Sequence, residues 1–545
     1  MSAVCKPTQG MATADNGRFL RQWFEVSVNK IGFNYKSAAS AADSKKKWFP
    51  YNKGGGFRKW YGNQEHVVNW ENDGEAIKNF NGSVVRNPST YFQRSISWSK
   101  VSSGNIAFRS YPCGFIYDVA GTSLFPNDYS MYNFYLGVVN SKAIRHILDV
   151  ISPTLNYEVG QIATLPIPST FNKLIDEEVE KIINISKQDW DAHETSWNFK
   201  GNELIRILTE NVESNNNSQL TIESALDLYK VMWEDKFHSL HQSEEVINEH
   251  IINTFGLKEE ITKEVTLDEI SILQKGEKNI EDGIIIWNEG TIIKQLISYL
   301  VGCFMGRYSI DKPGLIIASQ NQDLSSLGVK VEGIDNGATG RIEIDDDGVV
   351  PILAGEYFPD DMTVRIEQAI KLIFGEEHFQ TNLRYIDEKL GKPLREYLFK
   401  DFFNDHIDGK MYQKRPIYWL FSSKMGDKKK KGYFKALVYM HRMESDTLSK
   451  LHADYVVPFL AKIEQQHLEA EDLAYRDDLT TAQRNKARKE AEELASQIKE
   501  VKEFERELVQ MASQRLSFDL DDGVCTNYPK FYPLVEPIKG LDKDE

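Results

Sequence analysis

At 545 residues, with 41% hydrophobic and 27% charged residues, the chain is long enough for several hydrophobic cores and has the composition of a folded globular protein, not of a fibrous or disordered one. Four widely spaced cysteines (Cys5, Cys113, Cys303, Cys525) exclude a disulfide framework and a zinc ribbon and fit a reducing cytoplasm. No apolar run after Met1 reads as a secretory signal. The net charge of −16 argues against a polyanionic partner, but residues 1–170 hold 18 Lys/Arg against 11 Asp/Glu, so this part carries +7 and the remaining 375 residues −23, and a local field of that sign can steer nucleic acid.

Residues 1–20 are small, polar and glycine-bearing and read as a connector, and the chain reads as though it enters in the middle of something larger. Residues 19–28 follow as a strand or short helix opening a domain. The stretch 45–61 then packs six Lys/Arg, six aromatics and three adjacent glycines into seventeen residues with no acid among them. Lys and Arg neutralise phosphates, glycine lets the main chain come close, and aromatics stack on bases. The alternative is a glycine turn between two amphipathic strands whose lysines face water.

Short strands are expected at 67–70, 91–98, 105–108 and 114–118, separated by Asn72-Asp73-Gly74, Asn81-Gly82 and Ser102-Ser103-Gly104. Apolar spacing predicts a helix over 132–150, and Pro166 and Pro168 close the domain in extended chain. Residues 169–255 read as a helical spacer with a polar break at 211–218, and 256–445 as a mixed domain. Within it, 284–305 should include a buried helix, because Glu289 and Lys294 interrupt a run too broken to cross a membrane. Residues 329–348 read as a strand–turn region. Its Asp345-Asp346-Asp347-Gly348 lacks the alternation and the distal glutamate of a calcium loop, so a solvated turn is expected. Residues 363–404 read as helical, and 414–439 as a β-hairpin with a solubilising Lys-rich turn at 428–431. Leu494, Ile498, Val501, Phe504, Leu508 and Met511 recur at helical spacing, so 446–515 reads as a helical hairpin hinged near 477–481. A tail occupies 516–545.

The fold class expected is therefore α+β: a mixed domain at 21–168 followed by largely helical domains. Catalytic constellations are missing from the sequence. There is no P-loop, no His-Glu-x-x-His, no Gly-x-Ser-x-Gly and no clustering of histidines that suggests a metal site. Gly54-Gly55-Gly56 lacks the strand–helix setting of a dinucleotide or S-adenosylmethionine loop. Asn87-Pro88-Ser89-Thr90-Tyr91 approaches the Asn-Pro-Pro-Tyr box of amino-methyltransferases, but the second proline is missing and the aromatic comes one place late, so no catalytic residue is assigned.

The stretch from Lys47 through Gly62, followed by Val67-Val68-Asn69-Trp70-Glu71-Asn72-Asp73-Gly74, resembles the C-terminal half of the PglX (BrxX) adenine-specific DNA methyltransferases of BREX phage-exclusion systems. So do Arg18 through Val26, Thr154-Leu155-Asn156-Tyr157-Glu158-Val159-Gly160 through Pro168, Leu296-Ile297-Ser298-Tyr299 with Gly306 through Leu315, Lys414 through Trp419, and Asp521-Asp522-Gly523-Val524. Members of that family carry an N-terminal methyltransferase domain, whose S-adenosylmethionine loop and Asn-Pro-Pro-Tyr box are not found in this sequence. The closing Leu-Pro-Ile-Pro followed by helix also resembles specificity subunits of restriction–modification systems.

The resemblance implies target recognition, with double-stranded DNA as partner and a separate methyltransferase half and other BREX proteins as companions. S-adenosylmethionine is expected on the methyltransferase domain and no cofactor or metal in this chain. Lys45, Lys46, Lys47, Lys53, Arg58 and Lys59 are the expected phosphate or guanine contacts, Asn52 an adenine reader, and Trp48, Trp60 and Tyr61 the stacking or wedging aromatics. The alternative is a protein-interaction subunit that docks other defence proteins through the 446–515 hairpin; a third reading is a complete enzyme with an unrecognised site.

Overall fold

A computed structural model describes every residue except 103, 153, 169, 214–219, 323–330, 333–340 and 542–545, and the side chains of 212, 213, 331, 332, 341 and 342. Most of the polar break at 211–218 and the centre of the 329–348 region lie outside the described residues. The class is α+β, as expected. The chain divides into two compact units, residues 1–200 with 226–288 and residues 201–225 with 289–545.

The first unit contains two four-stranded sheets. Strands β1 (Cys5–Thr8), β2 (Leu20–Gln22), β3 (Trp48–Asn52), β4 (His66–Asn69), β5 (Ser95–Trp98), β6 (Phe108–Tyr111), β7 (Ile116–Tyr117) and β8 (Ser123–Pro126) supply them. One sheet is antiparallel in the order β1-β8-β5-β6; the other runs β2-β4-β3-β7, with only the β3–β7 pair parallel. Alternation sets the faces of the second sheet: Leu20, Phe49, Tyr51, Val68 and Ile116 join Phe19, Trp70, Phe92 and Tyr117 in an aromatic core. Every residue of β3 is nevertheless buried, so both faces of that strand are covered.

The strand reading at 67–70 matches β4 within a residue; 114–118 contains the two-residue β7, 91–98 is strand only over its last four residues, and 105–108 meets β6 only at Phe108. The Asn72-Asp73-Gly74 turn puts all three residues at positive φ. The single helix expected over 132–150 is two, Tyr132–Asn140 and Lys142–Ile151. Ser141 sits between them in extended conformation, and its hydroxyl accepts from the Ile144 amide at 3.4 Å as the cap of the second. A Cβ at Gly137 would lie 2.8 Å from methyls of both Ile175 and Val179, so glycine is what lets the first of these helices meet Lys173–Asp191. That packing places part of the presumed spacer inside the same unit as the sheets. A β-hairpin, β9 (Lys278–Glu281) with β10 (Ile284–Trp287), also belongs to this unit.

In the second unit the expected buried helix is Glu289–Phe304, and Ile284–Trp287 before it is strand. The hairpin Tyr418–Ser422 and Lys435–Tyr439 is antiparallel as expected, joined by Val349–Pro351 into a three-stranded sheet. The long helices Val457–Tyr475 and Thr481–Ala512 run on either side of 476–480, and Thr480 and Gln483 close a capping box at the second start. Phe434 of the sheet contacts Phe459 and Phe504, one from each helix. Buried Glu500 accepts from the Ser423 hydroxyl at 2.6 Å and from the Lys431, Gly432 and Tyr433 amides at 3.0 Å. The base of the helical hairpin is thus part of this unit's core. The Lys-rich turn is drawn into the same contact, with Lys430 2.8 Å from Glu503 and Lys431 2.8 Å from Glu493.

The acidic triple corrects the expectation of a solvated turn. Asp345 is buried, accepts from the Gly348 amide at 2.7 Å and pairs with Arg365 at 3.0 Å. Burial and the neighbouring Asp345 raise the Asp347 carboxyl to about 7.

Candidate nucleic-acid interface

The 45–61 stretch enters through a turn, crosses the second sheet as β3, turns again at the glycines and then dives into the interior. Lys45 is exposed and left-handed, at φ 54°. Lys46 and Lys47 are half-buried: Lys46 donates its ammonium to the Asn29 carbonyl, and the Lys47 amide donates to the Lys30 carbonyl at 3.1 Å. The Lys47 ammonium lies 5.6 Å from the Trp48 ring and the Arg21 guanidinium 5.5 Å from it. Lys30, Lys45, Lys46, Lys47 and Arg21 therefore gather at the start of β3. Lys30 and Arg21 lie outside the stretch that composition singles out; Arg21 reaches Trp48 from β2, across β4 in the same sheet, and the chain at 30–31 pairs directly with the entry to β3.

From the end of the strand onward the fate of the polar side chains changes. Asn52 is fully used: its amide donates to Ser97 Oγ at 2.6 Å and to the Gly121 carbonyl at 3.0 Å, and its Oδ1 accepts from the Gly54 amide at 3.1 Å. It has no edge left to read adenine. Lys53, 27% exposed, pairs at 2.8 Å with buried Asp118, which also accepts from the Tyr51 hydroxyl at 2.7 Å. Gly54 (φ 80°) and Gly55 (φ 133°) make a turn that only glycine fits, since a Cβ on Gly54 would meet the Ala120 carbonyl oxygen at 2.8 Å. The close approach is to the protein's own backbone.

Arg58, Lys59, Trp60 and Tyr61 are all buried. The Arg58 guanidinium pairs with Asp189 at 2.6 Å, donates to the Tyr61 carbonyl at 2.7 Å and lies 5.0 Å from the Trp190 ring. Lys59 pairs with Glu244 at 2.6 Å, and the Trp60 indole donates to the other oxygen of the same carboxylate at 2.7 Å. The Lys59 amide donates to Ser271 Oγ at 2.9 Å. Buried Arg109 donates to the Arg58 carbonyl at 3.2 Å, and burial lowers its pKa. Burial raises the Tyr61 phenol, which donates to Gln64 Oε1 at 3.3 Å.

Trp48, Asn52, Arg58, Lys59, Trp60 and Tyr61, expected to face DNA, are thus interior side chains with internal partners. The physical reason is the cost of burying charge: each cation is drawn in only because a carboxylate from the helices waits for it. The partners Asp189, Glu244 and Ser271 lie 131 to 212 positions away in sequence, beyond the reach of local pattern. What remains accessible is the start of β3 and Lys53. Asn87, of the near-match to the methyltransferase box, donates its amide to the Gln9 carbonyl at 3.0 Å. Among the described residues no group of three or more His, Cys, Asp or Glu is placed to hold a metal, and no helix is long and apolar enough to cross a membrane.

No family model matches the chain. Two curated relatives do. The adenine-specific methyltransferase BrxX of Escherichia coli O9:H4 (strain HS) is 35% identical over 96% of this chain and 42% of its own length. The adenine-specific methyltransferase PglX of Lacticaseibacillus casei (strain Zhang) is 34% identical over 98% of this chain and 43% of its own. The chain spans less than half the length of either relative, and nearly all of its own length is similar to them.

Proposed function

We propose that this chain supplies the DNA-recognition part of a BREX-type adenine-specific methyltransferase. The observation that carries the reading is similarity to two adenine-specific methyltransferases along 96–98% of the chain, in a sequence that holds neither an S-adenosylmethionine loop nor an Asn-Pro-Pro-Tyr box. The basic excess of residues 1–170 and the gathering of Lys30, Lys45, Lys46, Lys47 and Arg21 at the start of β3 support it. In this reading those lysines meet phosphates and set the protein's register on the duplex. The buried Arg58–Asp189 and Lys59–Glu244 pairs hold the sheets on the helices so that the register is fixed. Methyl transfer from S-adenosylmethionine to adenine is the work of the methyltransferase as a whole, and no residue here is assigned to it.

The test is fluorescence anisotropy with random duplex DNA at low and moderate salt, on the wild type and on Lys45→Ala/Lys46→Ala/Lys47→Ala. Expected is binding that falls steeply with salt and weakens in the triple variant. A flat salt response, or a triple variant indistinguishable from wild type, overturns the reading.

A second reading rests on the distal part of the helical hairpin, where Leu468 is 65% and Tyr475 78% exposed. Large apolar side chains at that exposure favour a docking arm for another protein. Because Phe459, Glu500 and Phe504 seal the sheet, removing the hairpin would damage the unit, so Leu468→Ser/Tyr475→Ser is the cleaner probe. It should spare DNA affinity and abolish partner capture if the arm docks.

A further inference from the structure

We propose that a cavity in the first unit, separate from the basic cluster at the start of β3, is a binding site for a nucleobase that carries a phosphate. The cavity measures about 560 Å³, within the range of small-ligand sites. Phe33, Tyr61, Phe115 and Trp197 wall it. The Trp197 ring lies 5.8 Å from Phe115 and 5.3 Å from Phe33, and both Trp197 and Phe33 are only half-buried, which leaves ring surface for a further planar group.

The second observation is Gln64, which lines the same cavity and is 1% exposed. Its Oε1 accepts from Tyr61, while its Nε2 has no hydrogen-bond partner. A buried amide donor without an acceptor is costly, and a ring nitrogen or carbonyl of a base would satisfy it.

Charge narrows the class further. Arg94 and Lys187 line the cavity and no Asp or Glu does. The Arg94 guanidinium lies over the Tyr132 ring at 3.6 Å, and Lys187 pairs with Asp191 at 2.7 Å. Two cations beside clustered, mutually tilted aromatics disfavour a cationic or purely aliphatic guest and suit a phosphate next to a planar heterocycle.

That chemistry has two sources: a free nucleotide, or a base unstacked from bound DNA. The second rests on the reading of DNA recognition above, and the experiment separates the two. Cys113 lines the cavity and is partly exposed, so its alkylation by iodoacetamide, followed by mass spectrometry on the full chain, reports occupancy without any substitution. Exposed Cys525 is the internal control.

Each deoxynucleoside monophosphate, inorganic phosphate and deoxyribose 5-phosphate is tested alone; a duplex with one mismatched pair carrying 2-aminopurine is tested in parallel. Expected is slowing of Cys113 alkylation by about fivefold at a nucleotide concentration four times Kd, with Cys525 unchanged and the effect lost in Trp197→Ala. Protection by the duplex, with a change in 2-aminopurine fluorescence, identifies a base from DNA; protection by nucleotides alone identifies a free nucleotide. Absence of protection by every nucleotide at millimolar concentration and by the duplex overturns the proposal, even if the duplex still binds. Equal protection by inorganic phosphate overturns the base-binding part. Protection by nucleotides with no duplex binding leaves the cavity standing and removes the DNA reading instead.

Discussion

The two ends of the 45–61 stretch have nearly the same composition and opposite fates. Lys45, Lys46 and Lys47 stand at a turn, exposed or half-buried, while Arg58 and Lys59 twelve residues on are sealed inside with Asp189 and Glu244. Cations beside aromatics describe both ends equally well. The difference is what the rest of the fold brings to them. At the start of β3, Arg21 reaches over from β2 across β4 and a turn adds Lys30, so positive charge accumulates. The later end meets two helices that offer carboxylates, so charge is cancelled and buried. A basic aromatic stretch can thus be half interface and half clamp.

The strongest way to break this comparison is at the clamp. Arg58→Ala or Lys59→Ala leaves a carboxylate buried without its cation, and each should cost about 3–5 kcal/mol by denaturant unfolding. A loss below about 1 kcal/mol would mean that the later end is open to solvent after all.

Burial without charge makes a useful contrast. Burial, aided by the positive Arg307, pushes His406 down to about 3 from 6.5, and its Nε2 accepts from the Ile417 and Tyr418 amides at 3.2 Å. The neutral folded form means that the unfolded chain binds the extra proton between those values. This contribution is therefore full above pH 6.5 and lost as pH falls toward 3, by about 1.4 kcal/mol per unit. Asp347, raised to about 7, works in the opposite sense over part of that window. The measurement is therefore the slope of stability against pH in wild type minus that in His406→Phe. Equal slopes would show that His406 is accessible to protons.

At the turn between the two ends, Gly54→Ala should cost roughly 1–2 kcal/mol, from a left-handed φ and the 2.8 Å approach to Ala120. A neutral result would mean that the turn relaxes and the two ends are not held in register. The smallest effect on stability is expected at the open end. Lys45→Ala/Lys46→Ala/Lys47→Ala should change unfolding by no more than about 0.5 kcal/mol. In DNA binding it should lower the slope of log affinity against log salt by up to about 2.7, if each lysine meets one phosphate. Lost stability with an unchanged slope would place these lysines with Arg58 and Lys59.

Sequence by itself determined the fold class, most of the local elements and the basic bias of the first 170 residues, because alternation, helical spacing and glycine turns are local signals. The hairpin at 418–439 and the long helices of 457–512 were legible for that reason. The likeness to adenine-specific methyltransferases was legible too, since long runs such as that from Lys47 to Gly62 are distinctive as strings.

Only the tertiary structure decided which side chains of those runs face outward. Trp48 and Trp60 are core, Asn52 spends its amide on Ser97 and Gly121, and Asp345 turns from a presumed solvated loop into a buried partner of Arg365. The cavity beside Trp197 and Gln64 is likewise assembled from residues up to 165 positions apart, none distinctive alone. The physical reason is common to all of these: burying a charge or an amide is costly or favourable according to the partner waiting for it, and that partner is placed by the fold over distances no local pattern spans.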